Sequence, residues 1–177
     1  MQTKTLKLYN LGFSDTKTYL LTLCFIAGNI LLPQLCHLVP QGGFIFLPIY
    51  FFTLVSAYKY GIKVGLMTAI LSPVVNHLLF GMPPLVVLPA ILLKSVFLAG
   101  SAAFAAHYFK KVSIFVLLLV VMSYQIVGTA VEWLLIGDFT LAIQDFKLGI
   151  PGMLIQIVGG FFTIKYIGRL FNSTHTK

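Results

Sequence analysis

The sequence predicts an all-α integral membrane protein, a single compact bundle of six transmembrane helices over residues 1–177 with both termini cytoplasmic. The first reason is composition: 59% of the 177 residues are hydrophobic and only 9% are charged, whereas soluble domains carry about 25% charged residues. The second is that apolar segments of roughly 20 residues, the length that crosses a bilayer, recur along the chain with short connections. The third is the one-sided placement of the basic residues.

Proline and glycine delimit the predicted spans. Pro40 and the glycines that follow it end the first apolar run, and Gly61 separates the second run from the third. Gly81 and the prolines at 83 and 84 stop the third, because proline cannot continue a helix. Pro151 suits the first turn of the sixth. The predicted spans cover about residues 17–39, 44–60, 64–80, 85–108, 112–136 and 151–171.

The basic residues set the predicted orientation. Of the twelve lysines and arginines, Lys94 lies within a span and Lys147 lies on the outer side, beside Asp138 and Asp145. Cytoplasmic connections carry an excess of lysine and arginine, which places both termini in the cytoplasm. The same rule explains the net charge of +8, so the expected contact is membrane lipid and not nucleic acid. The residues predicted on the cytoplasmic side are Lys4, Lys7, Lys17, Lys59, Lys63, Lys110, Lys111, Lys165, Arg169 and Lys177.

Polar side chains within the spans concentrate in the outer half of the predicted membrane. At 1.5 Å per residue, Lys94 lies roughly 14 Å below the outer end of the fourth span. Ionisable residues at such depth are costly and mark candidate functional sites. Because these groups face a bundle interior or a wet cavity, they predict a pocket that opens outward. The candidate ligand-binding residues are Lys94, Asn76, His77, Glu132, Trp133, Gln156 and Phe80.

Each candidate also has a structural interpretation. Lys94 and Glu132 would form an ion pair that neutralises both charges, and His77 would cap the turn that follows it. Trp133 would anchor the helix at the interface. For Gln156, as for Asn29 and Gln125, a hydrogen bond between helices is the favoured alternative.

Small residues recur at intervals of four in the predicted cytoplasmic half. Such spacing lets a second helix approach closely. It predicts either a surface that docks onto another membrane protein or close packing within the bundle. The residues concerned are Ser14, Thr18, Thr22, Gly61 and Gly65.

Motifs for catalysis are not found. No His, Cys, Asp and Glu cluster has the spacing of a metal site, so neither a metal nor another cofactor is predicted. A Gly-rich phosphate loop is missing, and so are the signatures of hydrolases. An enzyme that uses His77 and Glu132 as acid and base is the least favoured interpretation.

Several segments together resemble the substrate-binding S components (EcfS) of energy-coupling factor (ECF) ABC transporters. The family pattern is a leucine–proline start to the second span, a Gly-x-x-x-Gly entry to the third, and a polar outer end. The resemblance covers most of the chain. It is carried by Gly42-Gly43 with Leu47-Pro48, residues 60–72 with Gly61 and Gly65, the turn from Asn76-His77 to Pro84, and residues 94–100.

The resemblance implies a high-affinity binding subunit for a small, water-soluble, vitamin-like micronutrient in a bacterial inner (plasma) membrane. Its partners would be a coupling transmembrane subunit and ATPase subunits, because this chain has no nucleotide-binding motif. Ligands of the family bind in the outer half, under the loops between spans. The coupling subunit contacts an Ala-x-x-x-Ala motif in the first span, where this chain has Thr18 and Thr22.

On this interpretation Lys94 would anchor a carboxylate or another electron-rich group of the ligand. Glu132 and Asn76 would add hydrogen bonds, and Trp133 or Phe80 would stack on it. Lys94→Ala is then expected to abolish binding without unfolding the protein. The alternative is a small six-span structural protein of cell-wall morphogenesis that has no small-molecule ligand.

Overall fold

The computed structural model describes residues 8–173, except for the side chains of residues 145 and 169–173. Within that range the chain is helical and contains no strand. Six segments are long and apolar enough to cross a membrane, which confirms the predicted number of candidate spans. They are Thr16–Cys36, Gly42–Tyr60, Ile62–Phe80, Leu88–Phe109, Ile114–Ile136 and Ile150–Gly168.

The orientation of these spans in a membrane stays a prediction. Of the basic residues on which it depends, Lys4, Lys7 and Lys177 lie outside the described residues, as does the side chain of Arg169.

Ten α-helices can be followed through the described range, and shorter helical turns interrupt two of the spans. A 3-10 turn, Pro48–Tyr50, divides the second span, and a π-helical segment, Ile155–Gly159, divides the sixth. The helices are α1 (Thr16–Cys36), α2 (Gly42–Phe46), α3 (Phe51–Tyr60), α4 (Ile62–Phe80), α5 (Leu88–Phe109), α6 (Ile114–Ile136), α7 (Phe139–Ala142), α8 (Gln144–Leu148), α9 (Ile150–Leu154) and α10 (Gly160–Ser173).

The second span bends at Leu47. Leu47 has a left-handed backbone, with φ 46° and ψ 48°, and precedes Pro48. A residue before proline is disfavoured in the right-handed α conformation, and Pro48 has no backbone N–H for the helix. A bulky residue at positive φ is strained and persists only where its surroundings hold it. Leu47 is 4% exposed, so tertiary packing holds the bend in place.

Helix α3 is the centre of the bundle. It packs against α1, α4, α5 and α10, and Leu54, Val55 and Tyr58 on it are fully buried. The contact with α4 is close because Gly65 has no side chain: a Cβ there would collide with Ala57. Apolar surface is not driven together in lipid as it is in water, so close backbone approach of this kind is a main source of helix association.

The outward faces of the long helices are strongly apolar. Leu20, Leu134 and Phe104 are 59%, 80% and 69% exposed, and many other large hydrophobic residues resemble them. Soluble monomers rarely expose contiguous apolar areas of this extent, whereas a hydrocarbon solvent favours them. The surface therefore fits a multi-pass membrane protein.

Candidate functional site

A cavity of about 330 Å³ lies where α1 and α4 end and α5 begins. We call it the outer cavity, after the predicted orientation. Its walls come from the end of α1, from the bent second span, and from the turn between α4 and α5. The residues that line it are Pro33, Gln34, His37, Gln41, Gly43, Phe44, Leu47, Pro48, Ile49, Tyr50, Asn76, Met82, Pro83, Pro84, Val87 and Ile91.

Asn76 reaches this cavity from α4 and is 2% exposed. Its Nδ2 donates to the carbonyl oxygens of Asn29 at 2.9 Å and Ser72 at 3.0 Å. Asn29 in turn donates to the hydroxyls of Thr53 at 3.1 Å and Ser72 at 3.2 Å, and it accepts from the backbone N–H of Phe52 at 3.3 Å. A buried polar network therefore ties α1, α3 and α4 together beneath the cavity.

One polar atom of that network makes no hydrogen bond to the described residues. The Oδ1 of Asn76 is buried and has no hydrogen-bond partner among the described residues. Most buried polar atoms are hydrogen-bonded, and each exception calls for an explanation. The position of Asn76 in the cavity wall makes this oxygen a candidate acceptor for a bound molecule.

His77 supports the turn between α4 and α5. Its Nδ1 lies 2.8 Å from the carbonyl oxygen of Pro83, and Pro83 lines the outer cavity although His77 does not. Phe80 is 47% exposed at the end of α4 and is also absent from the lining. The structure thus gives His77 a contact that positions the cavity wall, and Phe80 no contact with the cavity.

Lys94 and Glu132 form an ion pair between α5 and α6. Lys94 Nζ donates to Glu132 Oε2 at 2.5 Å, and the two residues are 1% and 8% exposed. The stem of Lys94 fills the space that a side chain at position 128 would take, because a Cβ on Gly128 would collide with it. Gln125 and Thr129 are also buried on α6, and residues three, four and seven apart share a helix face. A buried polar stripe therefore faces α5, and none of its members lines the outer cavity.

The two remaining candidates have different surroundings. Gln156, in the π-helical segment, is fully buried and accepts a hydrogen bond from the hydroxyl of Tyr124 at 3.0 Å. The ring of Tyr124 packs at 5.3 Å against Tyr50, which lines the outer cavity. Trp133 is 47% exposed and packs edge-to-face against Phe139. Gln156 thus supports the wall through two tyrosines, whereas Trp133 lies at the helix surface.

Sequence reasoning therefore found one lining residue, Asn76, and did not select the others. Gln34 and His37, two polar residues near the end of α1, are among the lining residues that were not selected. Tyr50 was not considered at all. The Leu47-Pro48 pair could have indicated Tyr50, because a bend in a helix turns the residues just after it toward a different face.

The candidate docking residues are mostly packed inside the bundle. Thr18 and Thr22 are 0% and 1% exposed, and their hydroxyls donate to the carbonyl oxygens of Gly12 and Thr18. Gly65 is buried against Ala57. Only Ser14 is exposed.

Gly61 ends α3 at a left-handed φ of 96°. It lines a second cavity of about 610 Å³ at the opposite end of the bundle, together with residues of the N-terminal segment and the last turns of α5. We call this the inner cavity.

No protein-family model, no curated protein and no solved structure matches the chain. Among the described residues, no group of three or more His, Cys, Asp or Glu side chains is placed to hold a metal ion. The outer cavity is therefore the feature of the structure that bears most directly on function.

Proposed function

We propose that the protein is a membrane-embedded binding subunit for the uptake of a small, water-soluble micronutrient. The outer cavity captures the molecule on the outer side of a bacterial plasma membrane. Delivery to the cytoplasm then uses an ATP-driven partner of the ECF type, since the sequence has no nucleotide-binding motif of its own.

The observation that carries the proposal is the composition of the outer cavity. Small-molecule sites are concave, about 300–1,000 Å³ in volume, and mostly apolar with a few polar groups that fix the orientation of the ligand. The outer cavity, at about 330 Å³, is at the small end of this range. Aliphatic, proline, phenylalanine and methionine side chains make up most of its wall, and Asn76 contributes a buried acceptor.

The location of the cavity also agrees with the resemblance to S components. That resemblance expects ligands beneath the loops that join the first to the second span, the third to the fourth, and the fifth to the sixth. Residues 41, 43 and 44 of the first loop and 82–84 of the second line the outer cavity, whereas no described residue of the third loop, 137–149, is part of the lining. The strained backbone at Leu47 is in the same wall, and such strain concentrates at ligand sites.

Co-purification of a small molecule tests the proposal. The protein is extracted from cells grown in rich medium and analysed by native mass spectrometry, and the released compound is identified by liquid chromatography. We expect a stoichiometric small molecule in the wild type and its loss in Ile91→Phe, which fills the cavity from α5. Leu93→Phe is the matched control, because Leu93 is 38% exposed on the same helix and does not line the cavity.

A structural protein without a ligand is the second candidate. It is favoured by the polar residues that bond to one another within the bundle, namely the pair of Lys94 with Glu132 and that of Tyr124 with Gln156. On this reading wild type and Ile91→Phe would both purify free of any small molecule, which would refute the binding function.

A further inference from the structure

We infer that the outer cavity takes an electrically neutral, ring-containing molecule that donates a hydrogen bond to Asn76, and not an anion. This inference rests on the proposed function and names the class of compound that the same site would select. It differs from the sequence-based expectation, in which Lys94 anchors a carboxylate.

The first step is the charge of the wall. No Lys, Arg, Asp or Glu is among the described residues that line the outer cavity. Lys94, the cation proposed from the sequence, is hydrogen-bonded to Glu132 and is not part of the wall. An ionised carboxylate or phosphate that leaves water is strongly disfavoured unless it is paired and hydrogen-bonded. Among the lining residues His37 is the one side chain that can carry a positive charge, and no lysine or arginine supplies a permanent cation. A neutral molecule is therefore favoured over an anion.

The second step is the polarity of Asn76. A side-chain amide has two N–H donors and one acceptor oxygen. The nitrogen of Asn76 is committed to the carbonyl oxygens of Asn29 and Ser72, which fixes the orientation of the amide. The group that remains is the buried Oδ1. A bound molecule satisfies it only by donating an N–H or O–H, and the oxygens of an ionised carboxylate have no such proton.

The third step is the apolar character of the remaining wall and the adaptability of its methionine. The turn residues Met82, Pro83 and Pro84 lie on one side, and Val87 and Ile91 of α5 continue the same surface. Proline rings and a thioether offer apolar contact to a planar ring, and methionine adapts to irregular shapes and favours contact with aromatic rings. A flat heterocycle with an N–H donor combines these requirements within about 330 Å³.

The chemical identity of the co-purified compound is the direct test. The compound released from wild-type protein is identified by its mass and by its migration on an ion-exchange column at pH 7. A neutral ring compound with an N–H or O–H donor is the expected result. A carboxylate or phosphate overturns the inference but leaves the binding function standing, whereas no compound at all removes the binding function and the inference together.

A charge introduced into the wall gives a second, independent readout. Ile91→Lys adds a cation to the cavity, and Leu93→Lys adds one to the same helix outside it. We expect the amount of retained compound to fall at least tenfold in Ile91→Lys, since the new ammonium removes apolar contact and needs hydration. Leu93→Lys should retain the wild-type amount. Wild-type or higher retention by Ile91→Lys would show that the site accepts an anion.

Folding of these variants is checked by monodisperse elution in detergent. Because the identity of the compound is measured on unaltered protein, the inference stays testable if Ile91→Lys does not fold.

Discussion

Breaking the ion pair of Lys94 with Glu132 should destabilise the protein far more than removing both charges. In Lys94→Ala the carboxylate of Glu132, 8% exposed, loses the cation that neutralises it. The substitution also removes the side chain that fills the space over Gly128. The double variant Lys94→Met/Glu132→Gln keeps the volume of both side chains and leaves no charge behind.

The expected magnitudes follow from burial. Removing one partner of a buried pair costs about 3–5 kcal/mol, whereas replacing both by uncharged groups is often nearly neutral. A chain of this size loses about 2–4 °C in Tm per kcal/mol. The single variant should therefore melt roughly 6–20 °C below the wild type, and the double variant should recover most of that difference.

Thermal unfolding in detergent, combined with the co-purification assay, separates a structural role from a ligand-binding role. If the pair is structural, the double variant regains stability and keeps its bound compound. A double variant that is stable but empty would show that Lys94 contacts the ligand, as the sequence first suggested. A single variant within 1 kcal/mol of the wild type, roughly 2–4 °C, would refute the reasoning about the buried charge.

Two further predictions concern packing and topology. Gly65→Ala should lower stability by about 1–3 kcal/mol, because its Cβ would collide with Ala57, whereas Gly100→Ala should be neutral, since a Cβ at Gly100 has no neighbour within 4 Å. Equal melting temperatures for the two variants would contradict the packing of α3 against α4. Reporter domains fused to either terminus should both report a cytoplasmic location, and a split result would show that one of the six segments does not span the membrane.

The spans were predictable because they depend on properties of consecutive residues and not on contacts between distant ones. Length and apolar content decide whether a segment can cross a bilayer, and both are read directly from the chain. The faces of the helices were not predictable in the same way, because lipid and the bundle interior are both apolar. Thr18 and Thr22 show the difficulty: their spacing places them on one face, but it does not tell whether that face is covered by the same protein or by another.

The pairing of charges was left open for a related reason. Lys94 and Glu132 are separated by 38 positions, and whether they meet depends on how far α5 is shifted along α6. Gly128 contributes to that register by leaving room for the stem of Lys94, a contact that no pattern within either helix records. The sequence therefore identified both charged residues but did not decide between a structural pair and a ligand anchor.

Asn76 takes part in helix packing and also lines the outer cavity. Helix packing and the chemistry of the cavity are therefore linked through this residue. Its nitrogen holds α4 to α1 through the carbonyl oxygen of Asn29 and also bonds within α4 to that of Ser72. In lipid, hydrogen bonds between helices take over part of the role that the hydrophobic effect has in water. Those bonds also fix which atom of the amide is left for the cavity. The chemistry offered to a bound molecule is thus a consequence of how the helices associate, because the bonds that commit the nitrogen of Asn76 leave its buried oxygen as the group without a partner among the described residues.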